Sequence, residues 1–353
     1  MSLFKDILAH NESLFLDTLA LDLEYVPQIV PYRESQQKYI AECIKPLFNN
    51  RNGRNLFIHG PSGIGKTVAV KHIFNELNKE TDDIATIYIN CWKKDTEYKI
   101  LKDICEQINF KFITNKSSDE LFEDVKKLLN RTSVVICFDE IDKIQSNEII
   151  YSFLEDILRK TIIFISNDNK WLLDLDSRIK SRLSLEMLEF KPYNYEETKG
   201  ILNHRIDLAF VPNVFEKDTL KLVIDKTFEA NDIRSGIFLL KQSGDIAESK
   251  SSKKITQGHI AEAISKLSSF NFNKSSDLID EDKVILDLIK ENSGNSITEI
   301  YDLYKGKGDK SYRTFQRKIE KLKKNKLVTT EEISEGIRGK STKVYYSKKL
   351  SEF

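Results

Sequence analysis

Gly60-Pro61-Ser62-Gly63-Ile64-Gly65-Lys66-Thr67 follows a short apolar run, Leu56-Phe57-Ile58-His59, and opens a stretch with helical apolar spacing over residues 66–79. A glycine, four residues and then Gly-Lys-Thr, set between a strand and a helix, is the pattern of a phosphate-binding loop. Glycines let the backbone curl its N–H groups around an anion, and the following helix directs its positive dipole end at the same point. Lys66 is placed to reach the outer phosphates of a nucleotide, and the Thr67 hydroxyl to ligate Mg²⁺. The cofactors expected are therefore ATP or ADP with Mg²⁺.

Working outward, the all-apolar run Val134-Val135-Ile136-Cys137-Phe138 ends in Asp139-Glu140. Two acids at the carboxyl edge of a buried strand lie where open α/β sheets bind ligands. Asp139 is expected to hold Mg²⁺ and Glu140 to polarise an attacking water. A second buried strand, 162–166, ends in Asn167, whose amide is placed to orient that water. The β-rich run 84–90 adds a strand, and helical spacing recurs over 33–48, 98–110 and 121–129. Continuous apolar strands separated by helices predict a parallel sheet covered on both faces. Pro27 and Pro31 keep residues 25–32 extended.

After Phe190-Lys191-Pro192 the sequence reads as helices only, over 195–210, 216–227, 232–249 and 256–267. Arg234 opens the third of these behind a capping Asp232, placed to touch the γ-phosphate from a helical lid. Arg178 and Arg182 lie in Asp176-Ser177-Arg178-Ile179-Lys180-Ser181-Arg182-Leu183, and either could reach a neighbouring subunit's nucleotide. Arg182 is preferred, because Ser-Arg-Leu resembles the Ser-Arg-Cys box of AAA+ proteins.

The polar stretch 268–276 reads as a linker. Beyond it, helices are expected over 281–292, 297 onward behind the capping-box signature Ser296-Ile297-Thr298-Glu299, and 311–325. Two β-prone runs follow, 327–333 and 342–347, around a tip with Gly336 and Gly339. Three helices and a hairpin make a winged helix. Residues 305–326 hold ten Lys or Arg against two acids, in a chain whose net charge is zero. Tyr312, Phe315, Ile319 and Leu322 form a buried helical stripe, which leaves Arg313, Arg317, Lys321 and Lys324 for duplex DNA. Arg338, Lys340 and Lys343 on the wing would approach the backbone or minor groove. Base and phosphate contacts are not separable from the sequence.

The 353 residues are too many for one ordinary core. Cys43, Cys91, Cys105 and Cys137 form no CxxC pair, and the His residues form no HExxH, so no metal site beyond Mg²⁺ is expected. No apolar run reaches bilayer length, and the N-terminus lacks a signal-peptide core. A cytoplasmic protein with no membrane partner follows, and DNA binding would associate it with the nucleoid.

Together these strings resemble the archaeal origin-recognition initiators, relatives of the eukaryotic origin-recognition subunit and Cdc loading-factor ATPases. The resemblance also runs through Tyr25-Val26-Pro27, Arg33-Glu34, Tyr88-Ile89-Asn90-Cys91, Leu239-Leu240 and Gly244-Asp245-Ile246-Ala247-Glu248. Departures are Tyr32 for a usual His, Phe138 for Leu, Asn231 for Gly and Ile233 for Ala. The resemblance implies an α/β AAA+ fold, an αβα P-loop sandwich over 1–190, with an all-helical lid over 191–270. A linker over 271–277 and a winged-helix domain over 278–353 complete it. It implies sensor-1 Asn167, sensor-2 Arg234, an adenine pocket near Val26 and Arg33, and a DNA-contacting insertion within 93–116. The implied function is ATP-dependent binding of replication origins and recruitment of the replicative ring helicase, run as a slow ATPase switch. Paralogous initiators are further partners in such families. Two other readings fit the same motifs: an ATP-dependent transcription regulator, and a clamp-loader-like remodelling ATPase whose winged helix contacts protein.

Overall fold

Five parallel strands form the central sheet: β1 (Leu56–His59), β2 (Ile84–Asn90), β3 (Ser133–Asp139), β4 (Lys160–Ser166) and β5 (Glu186–Glu189), in the spatial order β2-β3-β4-β1-β5. They belong to a computed structural model that describes residues 13–113, 116–216, 218–276, 280–305, 312–324, 328–334 and 340–346. β3 is buried along its whole length and β4 nearly so, because both faces carry helices. One apolar layer joins Phe57, Ile136, Phe138 and Phe164 to the helices Glu97–Gln107 and Ser118–Leu129. The other joins Leu56, Ile58, Val135 and Ile163 to the phosphate-loop helix Lys66–Glu80 and to Glu34–Ile44.

β5 was not visible as an apolar run. Its sequence, Glu-Met-Leu-Glu, alternates between half-buried and exposed residues, as an edge strand can. The helix expected over 33–48 splits at Lys45, where Pro46 enters a 3-10 turn, Lys45–Asn49. The expected insertion within 93–116 contains the helix Glu97–Gln107, whose Ile100, Leu101, Ile104 and Cys105 are core residues.

The sheet order has a functional consequence. β4 runs between β1 and β3, so the residue that ends β4 lies between the phosphate loop and the carboxylates that end β3. Four helices follow β5: Tyr195–Ala209, Thr219–Ala230, Ile233–Ser249 and Gln257–Ser276. Asn231 stands where relatives are expected to carry glycine, and its φ of 50° is left-handed. Asparagine is among the residues that tolerate that conformation.

The stretch 268–276, expected as a turn-rich linker, is instead the continuation of helix Gln257–Ser276. Seven of its nine residues are polar, but no glycine or proline interrupts 259–293, and polarity alone does not break a helix. The chain divides into two compact units, one ending at Ile264 and one beginning at Ser265.

In the second unit, helices Asp280–Glu291, Ile297–Lys305 and Tyr312–Lys324 precede β6 (Val328–Ser334) and β7 (Lys340–Tyr346). β6 and β7 pair antiparallel. Ile285, Ile289, Ile300, Phe315, Ile319, Leu322 and Val344 form its core. The capping box at Ser296 is present in full: Glu299 N–H donates to Ser296 Oγ at 3.3 Å, and Ser296 N–H donates to Glu299 Oε2 at 2.8 Å. The turn after the first helix is tied to the hairpin, with Gly294 N–H donating to Val344 O at 2.8 Å and Val344 N–H to Asn295 O at 3.0 Å. This is a winged helix. Among the described residues no helix is long and apolar enough to cross a membrane.

Candidate functional site

The loop after β1 is wedged between two neighbours. A Cβ on Gly60 would lie 2.2 Å from the Phe190 carbonyl oxygen, and one on Gly63 would lie 2.0 Å from Asp232 Oδ1. Both residues also have positive φ, 146° and 77°, so glycine is required on two counts. From the first turn of the following helix Lys66 Nζ donates to Gly60 O at 2.6 Å, Pro61 O at 2.7 Å and Asn167 Oδ1 at 3.0 Å. Burial pulls its pKa down to about 8, opposed by Asp139. All three acceptors are neutral, and an anionic oxygen is the stronger partner for an ammonium group.

Thr67 Oγ1 donates to Asp139 Oδ2 at 2.6 Å, and Glu140 N–H donates to Asp139 Oδ1 at 2.9 Å. A hydroxyl and a carboxylate this close are hard oxygen donors of the kind Mg²⁺ takes while retaining waters. The pair fits that ion. Glu140 has left-handed backbone angles, φ 55° and ψ 47°. Such a conformation costs a non-glycine residue on the order of 1 kcal/mol. Burial first, and then the Asp139 charge, raise the Glu140 carboxyl pKa, which suits a group that handles protons.

The lid closes over this end. Asp232 caps the helix Ile233–Ser249, accepting the Arg234 N–H at 2.9 Å. The Arg234 guanidinium is gripped by the same carboxylate and donates to Ser62 Oγ at 2.8 Å. Ile233 N–H donates to Gly63 O at 3.1 Å. The lid helix is thus clipped to the phosphate loop by backbone and side chain.

A cavity of about 410 Å³ lies between these groups, within the range of nucleotide-sized pockets. Ser62, Gly63, Gly65, Lys66, Thr67, Asp139, Glu140, Asn167 and Arg234 line its polar end. The rest of the lining is mixed: Leu23, Val26, Val30, Ile201 and Ile237 supply apolar surface for a base, with Glu24, Lys71, Lys93, His204 and Arg205 among them.

Arg33, expected beside the adenine, is not part of this lining. It is buried behind the loop, donating to Ile64 O at 3.0 Å and Lys191 O at 2.7 Å, with its guanidinium 3.9 Å from the Tyr193 ring centroid. Its two hydrogen bonds brace the loop and the segment after β5 from outside the cavity. Gly60, Pro61 and Ile64 are likewise outside the lining. Arg178 and Arg182 also lie outside it. The Arg178 side chain is 87% exposed, while Arg182 pairs with Glu155 and lies over the Tyr151 ring. Tyr88 was missed as a site residue. Its hydroxyl donates to Asp139 Oδ2 at 2.6 Å, and its place in a β-prone run made it look like ordinary strand filling.

On the winged helix, Phe315, Ile319 and Leu322 are buried and Tyr312 packs against them, as the stripe predicts. Arg313 and Arg317 are exposed, and Lys343 is half-buried on β7. Lys321 and Lys324 fall on the same helix and Lys340 begins β7, but their side chains lie outside the described residues, as does all of Arg338.

The first unit thus has the architecture of an AAA ATPase with a helical lid. Residues 50–168 match the AAA domain family and residues 199–265 the Cdc6 AAA+ ATPase-type lid domain. The chain belongs to the family of ORC1-type DNA replication proteins. It is 32% identical over 86% of its length to ORC1-type DNA replication protein 1 of Archaeoglobus fulgidus, covering 79% of that protein. It is 29% identical over 96% of its length to ORC1-type DNA replication protein 2 of Methanothermobacter thermautotrophicus, covering 93% of it. The Aeropyrum pernix ORC1 protein, solved in complex with DNA, superposes with a TM-score of 0.81 at 25% identity, over 95% of this chain and 94% of that one.

Proposed function

We propose that this chain is an ATP-dependent DNA replication initiator that binds duplex origin DNA and switches slowly with the state of its nucleotide. The observation that carries the reading is the contact from Arg234 to Ser62. A lid arginine hydrogen-bonded to the phosphate loop gives the lid a direct means of sensing what that loop holds.

Lys66 supplies the positive charge against the phosphates, and Thr67 with Asp139 would hold Mg²⁺, which neutralises charge on the phosphate oxygens when bound. Glu140 and Asn167 line the same end of the cavity, where they orient a water for attack on the terminal phosphate. Arg182, or the more exposed Arg178, serves a neighbouring subunit's nucleotide. The second unit binds DNA through Arg313, Arg317, Lys321 and Lys324, with Arg338 and Lys340 from the wing. The replicative ring helicase and paralogous initiators are the protein partners in this reading, and the cytoplasm is its place.

Footprinting on chromosomal DNA tests it. Wild-type protein should protect a few discrete loci that act as origins, more extensively with ATP than without, and Lys66→Ala should lose the ATP effect. Protection spread over many promoters would instead favour a transcription regulator. Nucleotide-driven rings with little duplex affinity would favour a remodelling ATPase.

A further inference from the structure

The register of β2 against β3 pairs Tyr88 with Cys137 and Asn90 with Asp139. Tyr88 and Asn90 share a face of the strand. From that face the Tyr88 phenol reaches past its own register partner to Asp139 Oδ2, at 2.6 Å. That oxygen also accepts the Thr67 hydroxyl at 2.6 Å, while the other accepts the Glu140 N–H. An ionised carboxylate has about four lone-pair sites, so three are already committed to donors within the protein.

Tyr88 is itself held firmly. Its N–H donates to Gln107 Oε1 at 3.0 Å, and its carbonyl accepts from Gln107 Nε2 at 2.8 Å. The Lys71 ammonium lies 4.7 Å from its ring centroid and pairs with Glu24 at 3.1 Å. The hydroxyl therefore arrives at Asp139 from a fixed ring on a fixed strand.

We infer that Tyr88 is a positioning residue for the metal side of the nucleotide site, holding Asp139 in the orientation in which it faces the Thr67 hydroxyl. The inference rests on the nucleotide and Mg²⁺ reading above. In that reading Thr67 divides its hydroxyl between the metal and Asp139, and the Glu140 amide sets only the far oxygen. Among the described residues, Tyr88 is the side-chain donor that serves Asp139 without also binding the ion. Removing a hydrogen bond that orients a metal ligand typically costs about 10–100-fold in metal affinity.

The test uses the full chain and a fluorescent ADP analogue, titrated in EDTA and again across a range of Mg²⁺. In Tyr88→Phe, which keeps the ring and its packing, the Mg²⁺ concentration at half-maximal enhancement should rise by about tenfold. In an Asp139→Ala background the same change should add nothing, because the hydroxyl would have no carboxylate to hold. A merely structural phenol predicts equal weakening in EDTA and in Mg²⁺. That result, an unmoved midpoint, or a further shift in the Asp139→Ala background overturns the proposal. Wild-type protein indifferent to Mg²⁺ would instead overturn the metal reading beneath it, and Tyr88's role with it.

Discussion

Lys66 spends its three hydrogen bonds on two backbone carbonyls and the Asn167 amide. Phosphate oxygens would compete for the same ammonium with charge on their side. Hydrogen bonds to charged groups contribute about 1.5–3 kcal/mol each. Lys66→Ala should therefore weaken ATP and ADP binding by about 100-fold or more, read by calorimetric titration; wild-type affinity would sink the phosphate-loop assignment. Arg234 is gripped by Asp232 and touches Ser62, so its removal loosens the lid's hold on the phosphate loop. Arg234→Ala should narrow the difference between ATP and ADP affinities by about fivefold or more, the lower end of ordinary site-to-site coupling. Unchanged discrimination would remove Arg234 from the switch. Residue types at the phosphate loop and at Asp139-Glu140 were readable because few arrangements of glycine, lysine and paired acids do this chemistry. Arg33 was expected beside the adenine only through the family resemblance, whereas the fold makes it a brace on the loop.

At the scale of elements, the helix Tyr312–Lys324 has one buried apolar stripe and exposed Arg313 and Arg317. Replacing both arginines by alanine should weaken duplex binding and reduce the slope of log affinity against log salt by about 0.9 for each phosphate no longer neutralised. A gel-shift series across salt concentrations measures it, and an undiminished slope would place the DNA on another surface. The capping box at Ser296 starts the helix Ile297–Lys305 of the same unit. Ser296→Ala should cost about 1 kcal/mol, seen as a lower denaturation midpoint for the unit's transition. Periodicity located the helix Tyr312–Lys324, and the Ser-x-x-Glu spacing located the start of the helix Ile297–Lys305. Periodicity could not find β5, since an edge strand need bury only one side, nor the helical course of 268–276, since polar residues are compatible with helix and coil alike.

For the whole molecule, a cavity lined jointly by the sheet's carboxyl edge, the N-terminal segment and the lid implies that a nucleotide stabilises the unit it joins. With ligand at about 100 times its Kd, stabilisation is about 2.7 kcal/mol, or roughly 5–10 °C in the unfolding midpoint of a domain of this size. Scanning calorimetry with Mg²⁺ and ADP should show that rise in wild type and not in Lys66→Ala. An identical rise in both would mean that the ligand binds elsewhere.

The phosphate loop, the acidic pair, the parallel sheet, the helical lid and the winged helix are legible along the chain alone. Each is a local pattern, set by backbone conformation, by hydrophobic period or by a chemistry that admits few residue types. It takes the folded sheet to set β4 between β1 and β3 and so deliver Asn167 to Lys66. The same holds for Arg33 lying behind the loop, Arg234 reaching Ser62, and Tyr88 meeting Asp139. Those pairings join residues far apart in the chain through strand order and side-chain direction. No pattern along the sequence encodes them, because they arise only when the sheet closes and its helices pack.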